Sequence, residues 1–189
     1  MFTGSMEKID VFDLIERMSA LIRSEERKKC TELGLQPVHL QVMDYLSRCN
    51  RYSDTPAALT NYLGMTRGTV SQTVLLLEKK GYIKKTADVN DRRMVHLSLV
   101  SEGDAILNKA RPVDLYSQAS AIFNKNESQE NVFVNALTAL QKANKSQSFG
   151  LCKTCKYFTR TSDGFVCGLT KERLSQTDSE KICQEHAVC

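Results

Sequence analysis

The sequence contains no apolar run approaching the roughly 20 residues needed to cross a bilayer. No membrane partner is therefore expected. Its opening stretch, MFTGSMEKIDVFDL, has no basic segment followed by an apolar one, so a secretory signal is not expected either. Histidine is scarce. His39, His96 and His186 are scattered, and no glycine-rich phosphate loop or Ser/His/Asp set accompanies them. With no catalytic constellation, an enzyme is not the expected reading. Charge of one sign is not abundant: the net value of +4 neither demands nor excludes an anionic partner. Cysteine is almost missing from the first 150 residues, where only Cys30 and Cys49 occur. These absences point to a cytoplasmic protein, in which lasting disulfides are not expected.

What is present is helical periodicity. Val11, Ile15, Met18 and Ile22 form one stripe of a first helix, widened by Leu14 and Leu21. That stripe suits either a single-chain core or a core shared with a second chain. A second helix starts near Pro37 and turns Val42, Met43 and Leu46 inward. A short third helix is expected after Thr55 as N-cap and Pro56 as first residue, with Gly64 as its stop. Thr66 caps a fourth, which buries Val70, Val74 and Leu77 and closes at Gly81. Two helices joined through Gly64 and Met65 make a helix-turn-helix. YIKKT and the alternating stretch Val95, Leu97, Leu99 then read as two strands of a hairpin. Two further helices follow, the first interrupted at Pro112. Ala105, Ile106, Leu107, Leu115, Ile122 and Phe123 line the first, and Val132, Val134, Leu137 and Leu140 the second.

The positive charge is local. Arg67, Lys79, Lys80, Lys84, Lys85, Arg92 and Arg93 fall in the fourth helix and the hairpin. Clustered cations of this kind serve phosphate binding. The helix start offers Thr66, Arg67, Thr69, Ser71, Gln72 and Thr73, with hydroxyls for phosphates and longer side chains for base edges. Its N-terminal amides also favour a phosphate. A basic helix, the turn spacing and a basic-tipped hairpin together indicate a winged helix that binds double-stranded DNA.

The stretch LGMTRGTVSQTVLLLEKKGYIKK, followed by DRRMVHLSLVSEG, resembles the MarR family of bacterial winged-helix regulators. Asp91, Arg93, Leu97, Leu99 and Gly103 match the family's wing signature, and Gln41 and Leu46 fit its second helix. The resemblance covers roughly residues 10 to 145. It implies an obligate homodimer built from N- and C-terminal helices, on a pseudo-palindromic operator. Half-sites would then lie about one helical turn, roughly 10 bp, apart. It implies that Thr69, Ser71 and Gln72 belong to the recognition helix and Arg93 to the wing tip. Asp91 would buttress the wing arginine rather than touch DNA, which accords with the repulsion between a carboxylate and phosphate. A small-molecule effector lodged between the dimer and DNA-binding layers is also allowed by the resemblance.

After the polar segment NKSQSFG comes a cysteine-rich module. Cys152 and Cys155 form C-x2-C, and eleven residues then separate Cys155 from Cys167, and fifteen Cys167 from Cys183. A C-x2-C pair can chelate one metal from a tight turn, and two more thiolates complete a tetrahedron. YFTRTSDGFVC reads as a hairpin turning at Asp163-Gly164, which returns Cys167 towards the first pair. TDSE reads as a capping box from Thr177 to Glu180, starting a last helix that carries Cys183. Phe158, Phe165 and Leu169 would cover one side. Zinc suits four thiolates and is the first expectation. An iron–sulfur cluster is the alternative, since only one C-x2-C is present. His186, on the same helix face as Cys183, reads first as an exposed terminal histidine and otherwise as a ligand or a residue beside one. Cys30 and Cys49 read either as small buried residues or as oxidant-sensing thiols beside Lys29 and Arg48.

The expected architecture is mainly α with a small β-hairpin wing. Residues 1–54 form N-terminal helices for core and dimerisation, and 55–100 a winged helix-turn-helix. Residues 101–146 complete a helical dimerisation layer, and 147–189 a small four-cysteine metal-binding module. The expected function is a dimeric, sequence-specific transcriptional regulator, a repressor first, whose module is structural or senses metal or redox state. The competing class is an adaptor whose cysteine module docks a protein partner.

Overall fold

Caps and stop residues divide the chain where the periodicity places them. The structure is a computed structural model that describes residues 11–89, 91, 93–122, 127–144 and 149–187. Helix α1 runs Val11–Glu32, α2 Pro37–Arg48, α3 Pro56–Leu63 and α4 Arg67–Lys79. Thr55 accepts a hydrogen bond from the Ala58 amide at 3.2 Å, which caps α3. Gly64 ends α3 with φ of +63°, a left-handed conformation that a β-carbon disfavours. Thr66 caps α4 by accepting from the Thr69 amide at 3.1 Å.

Strands β1 (Ile83–Ala87) and β2 (Val95–Leu99) pair antiparallel, with Lys85 opposite Leu97. The Leu97 amide also donates to the Asp54 carbonyl at 2.7 Å, which fastens the wing to the α2–α3 turn. Helices α5 (Ser101–Ala110) and α6 (Val113–Ile122) meet at the buried Pro112, where the expected break occurs. Helix α7 spans Glu127–Ala143. Phe123 lies outside the described residues, as does Cys189.

Helix α2 is the hub of the core. Val42, Met43 and Tyr45 are fully buried among Leu59, Val70, Leu77, Leu97 and Leu107. Each such side chain contributes about 1.5–3 kcal/mol. The hydroxyl of Tyr45 donates to the Ser53 carbonyl at 2.7 Å, so its burial strands no polar group. Arg111 bonds the Asp44 carboxylate at 2.7 Å and the Ser47 hydroxyl at 2.8 Å, tying the α5–α6 corner to α2. By contrast, Val11, Leu14, Met18 and Leu21 of α1 are exposed on the single chain. So are Val113, Leu115 and Tyr116 of α6, and Val132, Val134, Leu137 and Leu140 of α7. Of the residues expected to line α5, Leu107 is buried, while Ala105 is exposed and Ile106 half-buried.

The cysteine-rich module is a set of short strands. β3 (Gly150–Leu151) pairs with β7 (Ile182–Cys183), and β4 (Phe158–Thr161), β5 (Gly164–Cys167) and β6 (Arg173–Leu174) form a three-stranded sheet. Two expectations need correction. The hairpin turn falls on Ser162 and Asp163, with Gly164 already paired to Thr161. The capping box lies at Ser175 and Asp178, two residues earlier than expected, and α8 covers only Gln176–Ser179. Cys183 therefore sits on a strand rather than a helix. The reason is tertiary: Ile182 enters the main core at 9% exposure, and its carbonyl accepts from the Asn50 amide at 2.9 Å.

Candidate nucleic-acid interface and cysteine module

Because Val70, Val74 and Leu77 anchor α4, the opposite face is fixed outward. Thr66, Arg67, Thr69, Ser71 and Gln72 are all exposed on it. The Thr66 and Thr69 hydroxyls bond one another at 2.9 Å, which holds the first turn ready. Thr73 departs from the expectation. It is 6% exposed and its hydroxyl donates to the Thr69 carbonyl at 2.9 Å, so it belongs to the inner side. Leu75 and Leu76, not singled out from the sequence, continue the exposed face. Their spacing of four from Ser71 and Gln72 was the available signal, and apolar side chains there suit a thymine methyl group.

The wing carries the second element. Both oxygens of Asp91 are used on Arg93: Nε donates to Oδ1 at 3.0 Å, and Nη2 to Oδ2 at 3.1 Å. The Arg93 amide adds a third bond at 3.0 Å to Oδ1. The Arg93 guanidinium holds the Asp91 carboxyl below its ordinary value. The Arg93 side chain is nevertheless 92% exposed, a pre-aimed cation on the rim of the molecule. Arg92 lies outside the described residues. Lys85 forms a 2.7 Å ion pair with Glu78, so its charge is partly spent within the protein.

Behind the tip is an arrangement that sequence reasoning missed. His96 Nδ1 lies 2.6 Å from Asp54 Oδ1, and Nε2 lies 3.1 Å from Asp88 Oδ2. Asp88 Oδ1 in turn accepts the Asp91 amide at 2.8 Å. The hydrogen bond to Asp54 chiefly raises the His96 pKa, with Asp88 adding to it against partial burial. Burial pushes the Asp54 carboxyl up, more than His96 lowers it. An imidazolium there donates to both carboxylates and links the α2–α3 turn to the wing tip.

Backbone contacts connect the segments that carry the module's cysteines. Cys152 opens a short 3₁₀ turn, and its amide donates to the Lys181 carbonyl at 3.0 Å, beside Cys183. Cys167 lies opposite Phe158 in the hairpin, and the Phe158 amide donates to the Cys155 carbonyl at 2.9 Å. Burial pushes the Cys152 thiol up to about 12, and the other three cysteines add to the rise. Burial also raises Cys167, but hydrogen bonds from the Thr170 backbone and side chain and the Leu169 backbone outweigh it and lower the thiol. The Ala187 amide donates to Cys155 Sγ at 3.4 Å. Burial raises Cys183, opposed by the Asn50 side chain, the Glu185 backbone and the Ser53 side chain. Even so, among the described residues no group of three or more His, Cys, Asp or Glu side chains is arranged to hold a metal ion.

Phe158 and Phe165 stack with ring centroids 5.0 Å apart. His186 is not on a helix with Cys183. It lies 3.0 Å from the Thr154 hydroxyl and fills the space above Gly150, where a β-carbon would meet the ring at 2.7 Å. Cys30 and Cys49 are buried, and burial raises both thiols, Cys49 to about 12. Burial thus disfavours the thiolate form at both.

Residues 33–94 match the model of the MarR family. The chain is 26% identical over 99 residues to the transcriptional repressor MprA of Escherichia coli, covering 52% of this chain and 56% of that protein. It is 29% identical over 93 residues to the HTH-type transcriptional regulator PapX of Escherichia coli, covering 49% and 57%. It thus spans a little over half the length of these relatives, which are regulators and not enzymes. Among solved structures, the Staphylococcus aureus MepR–DNA complex superposes with a TM-score of 0.55 at 17% identity, covering 72% of this chain and 99% of that one. That likeness shows the fold: mainly helical, with a small β wing.

Proposed function

We propose that this chain is a MarR-type transcriptional regulator that binds double-stranded DNA as a cytoplasmic homodimer. The observation that carries this reading is the pairing of an exposed, pre-capped α4 with a wing arginine already held by its buttress. Such pre-organisation lowers the ordering cost of binding. Repression is the direction favoured by the relative named a transcriptional repressor. The dimer reading rests on the exposed apolar faces of α1, α6 and α7, which together exceed the scattered apolar exposure normal for a monomer. Among the described residues no helix is long and apolar enough to cross a membrane. A groove lined by Tyr62, Leu63, Leu137, Phe149, Leu151 and Ile182 is where a small-molecule effector would lodge.

The reading includes a metal held by Cys152, Cys155, Cys167 and Cys183, zinc in the first place. Its support is chemical: a C-x2-C pair and two further cysteines in a module too small for a core of its own, with N–H donors at Cys155 and Cys167. Bound there, the metal would supply folding energy. Fluorescence anisotropy with promoter DNA at rising salt tests the regulator. Tight, salt-dependent binding that discriminates against unrelated DNA is expected. Metal analysis of anaerobically purified protein tests the module: one zinc per colourless chain is expected, whereas a brown protein with iron and sulfide assigns an iron–sulfur cluster.

A further inference from the structure

The wing arginine stands at the end of a chain of bonds that begins in the body of the domain. Asp91 holds the Arg93 guanidinium, and Asp88 Oδ1 accepts the Asp91 amide at 2.8 Å. The other Asp88 oxygen lies 3.1 Å from His96 Nε2, and His96 Nδ1 lies 2.6 Å from Asp54 Oδ1. Asp54 is tied to β2 twice, since its carbonyl also accepts the Leu97 amide at 2.7 Å. The middle of this chain is sheltered. The side chains of His96, Asp54 and Asp88 are 26%, 20% and 27% exposed, so water replaces a lost bond less freely there than at the exposed Arg93. Arg51 and Tyr52 of the α2–α3 turn, with Glu172 of the cysteine module, line the same cavity as the ring. These three are bonded among themselves: the Tyr52 hydroxyl donates to Glu172 and accepts from Arg51, each at 2.5 Å. Thr86, opposite His96 on β1, carries no charge.

One proton decides whether this chain is continuous. An imidazolium has two N–H groups and donates to both carboxylates, whereas a neutral ring has one. Whichever nitrogen keeps that proton, the other turns a lone pair on a carboxylate. One tautomer gives up Asp54 and the other gives up Asp88, so both cut the path from the turn to Asp91. We infer that His96 is a positioning residue for Arg93, and that its protonation sets how tightly the wing grips DNA. This rests on reading the chain as a DNA-binding regulator with Arg93 at its wing tip. With the ring protonated, the arginine is presented already ordered. With the ring neutral, the tip is ordered only on binding, at a cost in affinity. DNA affinity therefore falls as pH rises through the folded pKa of His96, which the bond to Asp54, and then Asp88, hold above its ordinary value. Loss of the proton also removes one positive charge, which weakens binding from any place near phosphate. The two effects separate at Arg93, since only positioning acts through it.

The test is fluorescence anisotropy at constant salt, at about pH 6, about pH 7.5 and about pH 9. The probe is a labelled duplex selected from a random library by the full-length chain at about pH 6. Wild type, His96→Gln and Arg93→Ala are compared, with circular dichroism at each pH to show that they are folded. Wild type is expected to lose roughly three- to tenfold in affinity across the range, and His96→Gln less than about twofold. Arg93→Ala should bind weakly at every pH, with the dependence gone. A dependence that persists in Arg93→Ala is a plain charge effect and overturns the positioning role. So does a wild-type affinity that stays flat while binding is intact. Should His96→Gln fail to fold, carbon-detected NMR of unbound wild type decides the matter. The Arg93 Cζ resonance is expected to move with the same midpoint as the His96 ring, and one that ignores the ring overturns the role. If wild type selects no duplex even at about pH 6, the regulator reading falls, and this inference with it.

Discussion

Arg93 shows what one residue contributes and what its neighbour decides. Replacing it with alanine is expected to weaken operator binding roughly tenfold or more with the melting temperature unchanged, read by anisotropy and circular dichroism. Asp91→Ala is the sharper test. It removes a negative charge near DNA and should on simple charge grounds strengthen binding. The buttress predicts the opposite, a smaller loss of affinity, because the freed arginine must be ordered on binding. His96 gives a pH dependence. Its folded pKa lies above the ordinary value of about 6.5, so its bonds to Asp54 and Asp88 stabilise the fold fully below that value. That stability is lost as pH rises through the folded pKa. Thermal melts at about pH 6 and about pH 8.5 should show a larger fall for wild type than for His96→Gln. Asp91 and Arg93 were legible because they lie two residues apart in one loop. His96 was not, since Asp54 is 42 residues away and only the fold brings it near. Thr73 misled for a related reason: a hydroxyl residue in a polar run gives no sign that its face is the inner one.

At the scale of elements, helix ends were the easiest to read. Thr55, Gly64, Thr66 and Gly81 act through bonds and backbone angles within a few residues of themselves. Gly103, matched only as part of a wing signature, acquires a physical cause. A β-carbon there would lie 2.0 Å from the Tyr82 carbonyl oxygen, so α5 rests directly on the chain entering β1. Gly103→Ala is expected to destabilise the domain by about 1–3 kcal/mol in urea unfolding, by forcing α5 off the wing. The last helix was misread because two capping patterns, Ser175 with Asp178 and Thr177 with Glu180, overlap. Local rules do not choose between them. The choice is made by β7, whose Ile182 reaches a core built from α2 more than 130 residues earlier.

For the whole molecule, the exposed stripes of α1, α6 and α7 are the faces on which the proposed dimer depends. Leu137→Glu, on an exposed position of α7, should convert dimer to monomer in sedimentation velocity and abolish operator binding while leaving the winged helix folded. The layer was legible as apolar periodicity, but which chain covers it is not written in one chain's pattern. The cysteine module is joined to the winged helix by more than its linker. Tyr52 bonds Glu172 at 2.5 Å, Arg51 bonds the Arg173 carbonyl at 3.1 Å, and Gln184 bonds the Tyr52 carbonyl at 2.9 Å. This has a consequence for synthesis. The turn between α2 and α3 leaves the ribosome early, yet its partners at residues 172–184 are made only after every helix of the winged helix. A nascent chain thus carries α4 long before the turn that steadies its wing is closed, and a message cut short in between yields a chain that cannot close it.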